Sequence, residues 1–155
     1  MFIQYLSDYI KESVPATKKI PHVYDAFMTG YGDKAEVDEF CIRHMPTSSP
    51  APYRAGVTSV AQYQLLVRMS SQKNALQVIH DVRNLFYLTD IKQFNDFAVS
   101  SYSADKGISE AIALKLTTEP QLVDITDKRR YIYSLTISAE YTEDQQLLTG
   151  KWGKN

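Results

Sequence analysis

The apolar positions along the chain change period several times, and each change marks an element. Phe2, Leu6, Ile10 and Val14 recur every four residues, with Ile3 and Tyr9 beside them. That stripe predicts a helix over 2–13, because residues three and four apart share one helical face. Pro15 closes it, since the residue before a proline disfavours helical backbone. Residues 20–31, entered through Pro21 and closed by Gly30 and Gly32, read as extended chain, and 33–36 as a charged turn. From Val37 to Met45 the period is two, with Phe40 and Ile42 on one side and Glu39, Cys41 and Arg43 on the other. This predicts a strand with Phe40 and Ile42 inward.

Pro46, Pro50 and Pro52 then exclude a regular helix or a central strand, so 46–57 is expected to be a long surface loop. The period of two resumes over 58–69: Tyr63, Leu65, Val67 and Met69 share one face, Gln62, Gln64 and Arg68 the other. Ser70 and Ser71 can cap a helix over 72–87, whose apolar stripe is Ala75, Val78, Ile79, Val82, Leu85 and Phe86. Three more extended pieces follow. They are 94–102, then 109–118, and finally 131–141, which has the cleanest alternation in the chain. In the second, Ile112, Leu114 and Leu116 oppose Ala111, Ala113 and Lys115. Thr118-Glu119-Pro120 is expected to break it, and 124–129 to be a polar connection.

Short connections between the last strands favour antiparallel neighbours. The expected fold is therefore α+β, a curved, mainly antiparallel β-sheet with two helices packed on one face. Residues 1–149 are expected to form one domain, and 150–155 a flexible tail.

Composition narrows the function classes. Apolar residues at 44% and charged residues at 23% exclude a disordered chain. A formal net charge of -1 gives no global attraction to nucleic acid or anionic membrane. A single cysteine, Cys41, precludes an internal disulfide and fits a reducing compartment. The first residues lack the pattern of a signal peptide, and no run approaches the ~20 apolar residues that span a bilayer. A soluble protein made in the cytoplasm is expected, with no membrane partner. Eleven tyrosines against one tryptophan suit either strands or protein interfaces.

The candidate chemistry is thin. Gly30-Tyr31-Gly32 lacks the third glycine and the Lys-Ser/Thr of a phosphate cradle and reads as a turn. Cys41 and His44 would point to opposite faces of a strand, so they do not chelate one metal. Asp81 would stand about 100° around a helix from His80, which is not a dyad. No Gly-x-Ser-x-Gly elbow occurs. Glu36, Asp38 and Glu39 read as a solvated turn and strand start. Lys128-Arg129-Arg130 is a local basic run that nearby Glu119, Asp124 and Asp127 partly cancel.

Three stretches carry a resemblance. One is Tyr63-Gln-Leu-Leu-Val-Arg68 leading into Ser71-Gln-Lys-Asn-Ala75 and a helix ending near Leu88. Another is Ile112-Ala-Leu-Lys-Leu-Thr-Thr-Glu-Pro120. The third is Thr126-Asp-Lys-Arg-Arg130 feeding the strand that runs to Tyr141. In this layout the chain resembles the tail terminators of long-tailed bacteriophages, a group also called minor capsid or tail-completion proteins. Where that family has a glycine after the proline, this chain has Leu122-Val-Asp124.

The resemblance implies a virion protein, made in the bacterial host, that forms a six-membered ring of its own copies. The ring would cap the tail-tube protein and dock the head connector or stopper. DNA would pass through it without sequence recognition. Neither enzyme activity nor a cofactor is implied. Tyr53 and Arg54 in the long loop are the first candidates for subunit or tube contacts, because Tyr and Arg anchor interfaces. Glu119, Lys128, Arg129 and Arg130 are the second. Competing readings are another connector, head-completion or tail-tube protein, a small α+β enzyme using His80 or His44, and a ligand-binding domain with a cavity between helices and sheet.

Overall fold

The computed structural model describes residues 2–31, 35–45, 58–88, 90–101 and 111–142. Helix α1 spans Phe2–Ser13, and a 3-10 turn follows over Pro15–Lys19. Strands β1, His22–Tyr24, and β2, Glu39–Met45, lead to the long β3, Thr58–Met69. Helices α2, Gln72–Tyr87, and α3, Ile91–Ser101, precede β4, Ala111–Ile125, and β5, Tyr131–Thr142. The five strands form one sheet in the order β1-β2-β3-β5-β4, antiparallel except for the β1–β2 pair. This is the expected α+β architecture.

The helices fill one face of the sheet. From below come Phe40, Ile42, Tyr63, Leu65, Val67, Leu135 and Ile137, each almost wholly buried. From above come Leu6 and Ile10 of α1, Ala75, Val78, Ile79 and Val82 of α2, and Phe94 of α3. The alternation of β3 and β5 follows from their pleat, which sends successive side chains to opposite faces. Their full-length register, Thr58 opposite Thr142 through Met69 opposite Tyr131, aligns the two apolar rows. Aromatic rings close one corner of this core: Phe2 stacks on Tyr141 at 4.3 Å, and Tyr9 meets Phe94 edge-on at 5.0 Å.

Four expectations need correction. Residues 94–101 are helical, so a third helix joins the two foreseen. Asp90 starts it, its carboxylate accepting from the Lys92 amide at 3.0 Å. Phe94, Phe97 and Ala98 have helical spacing, which the aromatic content of the stretch masked. The strand containing Ile112 does not stop at Pro120 but runs on to Ile125. Proline is tolerated because β4 is an edge strand and Pro120 sits in an irregular step between Thr118 and Gln121. A further register shift between Ala111 and Ala113 separates Ile112 from Leu114, leaving Ile112 exposed and Leu114 buried. Finally, only His22–Tyr24 of the stretch 20–31 is a strand.

Candidate functional site

On the sheet face away from the helices, β2 and β3 present Glu39, Cys41, Leu66 and Arg68. All four are buried, because residues 25–31 and 35–38, between β1 and β2, fold back across them. Arg68 holds that strap down. Its guanidinium donates to the Thr29 hydroxyl at 2.6 Å, the Val37 carbonyl at 3.0 Å and Glu39 Oε1 at 2.9 Å. It also lies 4.5 Å above the Phe27 ring. Glu39 Oε1 accepts in addition from the Met28 amide at 3.0 Å. The expectation that Glu36, Asp38 and Glu39 form a solvated turn is therefore overturned. A buried carboxylate requires a paired cation, and Arg68 supplies it. The signal was present as a lone arginine in a strand with no other charge.

The same network takes in the basic run. Arg130 Nε donates to Asp38 at 2.9 Å, and Asp38 also accepts from the Ser70 amide at 3.0 Å. Thr126, at the start of the β4–β5 turn, donates its hydroxyl to Glu36 at 2.6 Å. Arg130 is thus spent on fixing the turn, whereas Lys128 and Arg129 stand exposed at its tip. Glu119 lies on β4 and pairs with Arg83 of α2 at 3.0 Å. That hydrogen bond lowers the Glu119 carboxyl below its usual range. The four described candidates therefore split: Arg130 and Glu119 tie elements of the fold together, and Lys128 and Arg129 remain free to meet something outside. Tyr53 and Arg54 lie outside the described residues.

The reactive side chains do not converge. Cys41 is buried under the strap, and desolvation, with the Asp25 charge adding to it, raises its thiol to about 11. His44 is exposed and meets Tyr63 edge-on at 5.3 Å, and His80 is exposed on α2. Among the described residues no three metal-ligating side chains cluster. A pair that sequence reasoning missed is Ser7 with His22. Ser7 Oγ lies 2.9 Å from His22 Nδ1, and His22 Nε2 lies 3.1 Å from the Thr17 carbonyl oxygen. A carbonyl only accepts, so Nε2 carries the proton and Ser7 donates to Nδ1. Burial, aided by the Lys11 charge, lowers His22 to about 4. Ser7 has no exposed surface, so no substrate reaches its oxygen. The pair stitches α1 to β1.

No family model and no curated protein matches the chain. Among solved structures, one chain known only by a sequence identifier aligns over 92% of this chain and 90% of its own, at 18% identity and a TM-score of 0.46. A likeness that distant carries no argument about function.

The surface features that remain are apolar and lie at the sheet edge, on the strap and at the end of α2. Leu122, Val123 and Ile125, at the end of β4, are each more than two-fifths exposed. On the strap, Met28 and Tyr31 are exposed by more than half, as are Tyr87 and Leu88 at the end of α2. Of the described tyrosines, Tyr5, Tyr9, Tyr63 and Tyr133 serve the core, and Tyr24, Tyr31 and Tyr87 face outward.

Proposed function

We propose that this chain is a virion assembly protein of the tail-terminator type, a ring subunit that caps the phage tail tube and joins it to the head connector. The observation that carries the reading is the end of β4. This strand is an edge of the sheet, and its last residues expose Leu122, Val123 and Ile125 beside a turn that presents Asp127, Lys128 and Arg129. Natural proteins usually blunt a free edge with charge or cover it. Pro120 and the register shifts blunt the middle of this edge, whereas the apolar side chains exposed at its end suit burial against a neighbouring subunit, since exposed apolar patches mark such contacts. β3, α2 and β5 lie on stretches that carry the resemblance to tail terminators, whereas β4 runs on past Pro120, where a break is expected.

The reading is tested by negative-stain imaging of phage particles assembled without this protein. Overlong or headless tails are expected. Tails of normal length joined to heads would overturn it.

A further inference from the structure

We infer that the Lys128–Arg129 turn of one copy seats in the groove where α1 and α2 end on a second copy. The inference rests on the ring reading above and names its subunit contact.

The turn is built to hold its shape. The Thr126 amide donates to the Arg130 carbonyl at 2.8 Å, and the Arg129 amide to the Thr126 carbonyl at 2.9 Å. Thr126 and Arg130 are in turn anchored on Glu36 and Asp38. Arg129 has a φ of 66°, a left-handed backbone that glycine adopts far more readily. Arginine at this position keeps a cation at the tip despite the strain. The result is a rigid knob on which the exposed Lys128 and Arg129 outweigh the neighbouring Asp127, flanked by the exposed Leu122 and Ile125.

The groove offers the complement. It measures about 720 Å³ and lies where α1, the 3-10 turn, α2 and α3 meet. Val14, Leu85 and Leu88 give it apolar walls, Glu12 and Asp81 give it carboxylates, and among the described residues no lysine or arginine lines it. Both α1 and α2 terminate beside it, so their last carbonyls and the negative ends of their dipoles gather there. The last turn of α2 carries no basic residue to offset this, whereas that of α1 carries Lys11. Lys18, 3.6 Å from Glu12, offsets part of the charge. Asp81 accepts the Gln77 amide at 3.0 Å and makes no ion pair among the described residues.

The knob does not fill the groove of its own molecule. Arg83, next to the groove residue Asn84, is held to Glu119, which stands six residues before Ile125 on β4. Six strand residues span roughly 20 Å. Two different surfaces that fit each other in different copies make a head-to-tail contact, which closes into a ring when the rotation permits.

The test pairs cysteine cross-linking with sedimentation on the full chain. Lys128→Cys mixed with Asn84→Cys is expected to give oxidised dimers, each variant alone none, and the double variant a ladder. A disulfide forms only when the two Cα atoms come within about 7 Å. Asp81→Lys and Arg129→Asp are each expected to weaken self-association at least tenfold, and the combined charge swap to restore it. Arg129→Gly, which relieves the backbone, should also weaken association while leaving the fold intact by circular dichroism. Rings without cross-links, or insensitive to these changes, would overturn the contact and leave the ring reading standing. A chain that stays monomeric and un-cross-linked at every concentration would overturn the contact as well. Normal tails without the protein would instead remove the terminator reading while leaving an observed ladder unexplained by it.

Discussion

Arg129 spends backbone energy to stand where it does. A non-glycine residue at a φ of 66° loses on the order of 1 kcal/mol relative to glycine. Arg129→Gly is therefore expected to raise unfolding stability by about that amount, as read from urea denaturation. His22 makes a second prediction at this scale. Folding lowers its proton affinity from 6.5 to about 4, so the unfolded chain binds more protons across that interval. The contribution is complete above pH 6.5, declines as pH falls through the window, and levels off near 4, where both states are protonated. It amounts to about 2 kcal/mol once partial solvent screening is allowed for. Replacing His22 with Gln should flatten the dependence of unfolding free energy on pH over this range. Cys41, raised to about 11 and covered by the strap, should resist alkylation at pH 8 until denaturant is added. Rapid labelling of the native protein would contradict that placement.

Among the elements, the strap across the outer sheet face depends most on a single side chain. Arg68→Ala leaves Glu39 buried without its cation and is expected to cost about 3–5 kcal/mol. Replacing Arg68 and Glu39 together with Met should cost less than the sum of the single changes, because no orphan charge remains. Calorimetric melting of the three variants checks this. Disrupting the exposed Arg83–Glu119 pair should by comparison barely move the melting temperature. This network was the least legible part of the fold. Periodicity located α1, α2, β3 and β5 because each buries one face and leaves the other wet. It assigns a charge on the outer face to solvent, however, and cannot register that a segment distant in sequence returns to cover it. Glu39 was misplaced for that reason. Helix α3 was missed because Phe94, Phe97 and Ala98 supply only a short apolar stripe, in residues common to strands. Pro120 misled because its cost depends on whether the strand lies at an edge, which only the assembled sheet decides. Of the candidate contact residues, the basic run was visible, but not its division into an anchored Arg130 and a free tip.

At the scale of the whole molecule, the helices cover one sheet face, the strap covers part of the other, and among the described residues apolar surface stays exposed at the β4 edge, on the strap and at the end of α2. Substituting Leu122 and Ile125 with Ser should leave the monomer folded and lower its tendency to associate, as measured by light scattering over a concentration series. Measurable loss of secondary structure in that variant would reassign those side chains to the fold. The central strands have a further consequence. β3 is flanked by β5, not by β4, and its register with β5 runs its full length. During synthesis the first half of the chain therefore leaves the ribosome with β2 paired to one edge of β3 and the other edge open along its whole length. Ordering must wait for the last strand to emerge, and long-range pairing of this kind is intrinsically slow. Nascent chains of this protein should be clients for holding chaperones, and chains truncated before β5 should be found bound to them instead of free.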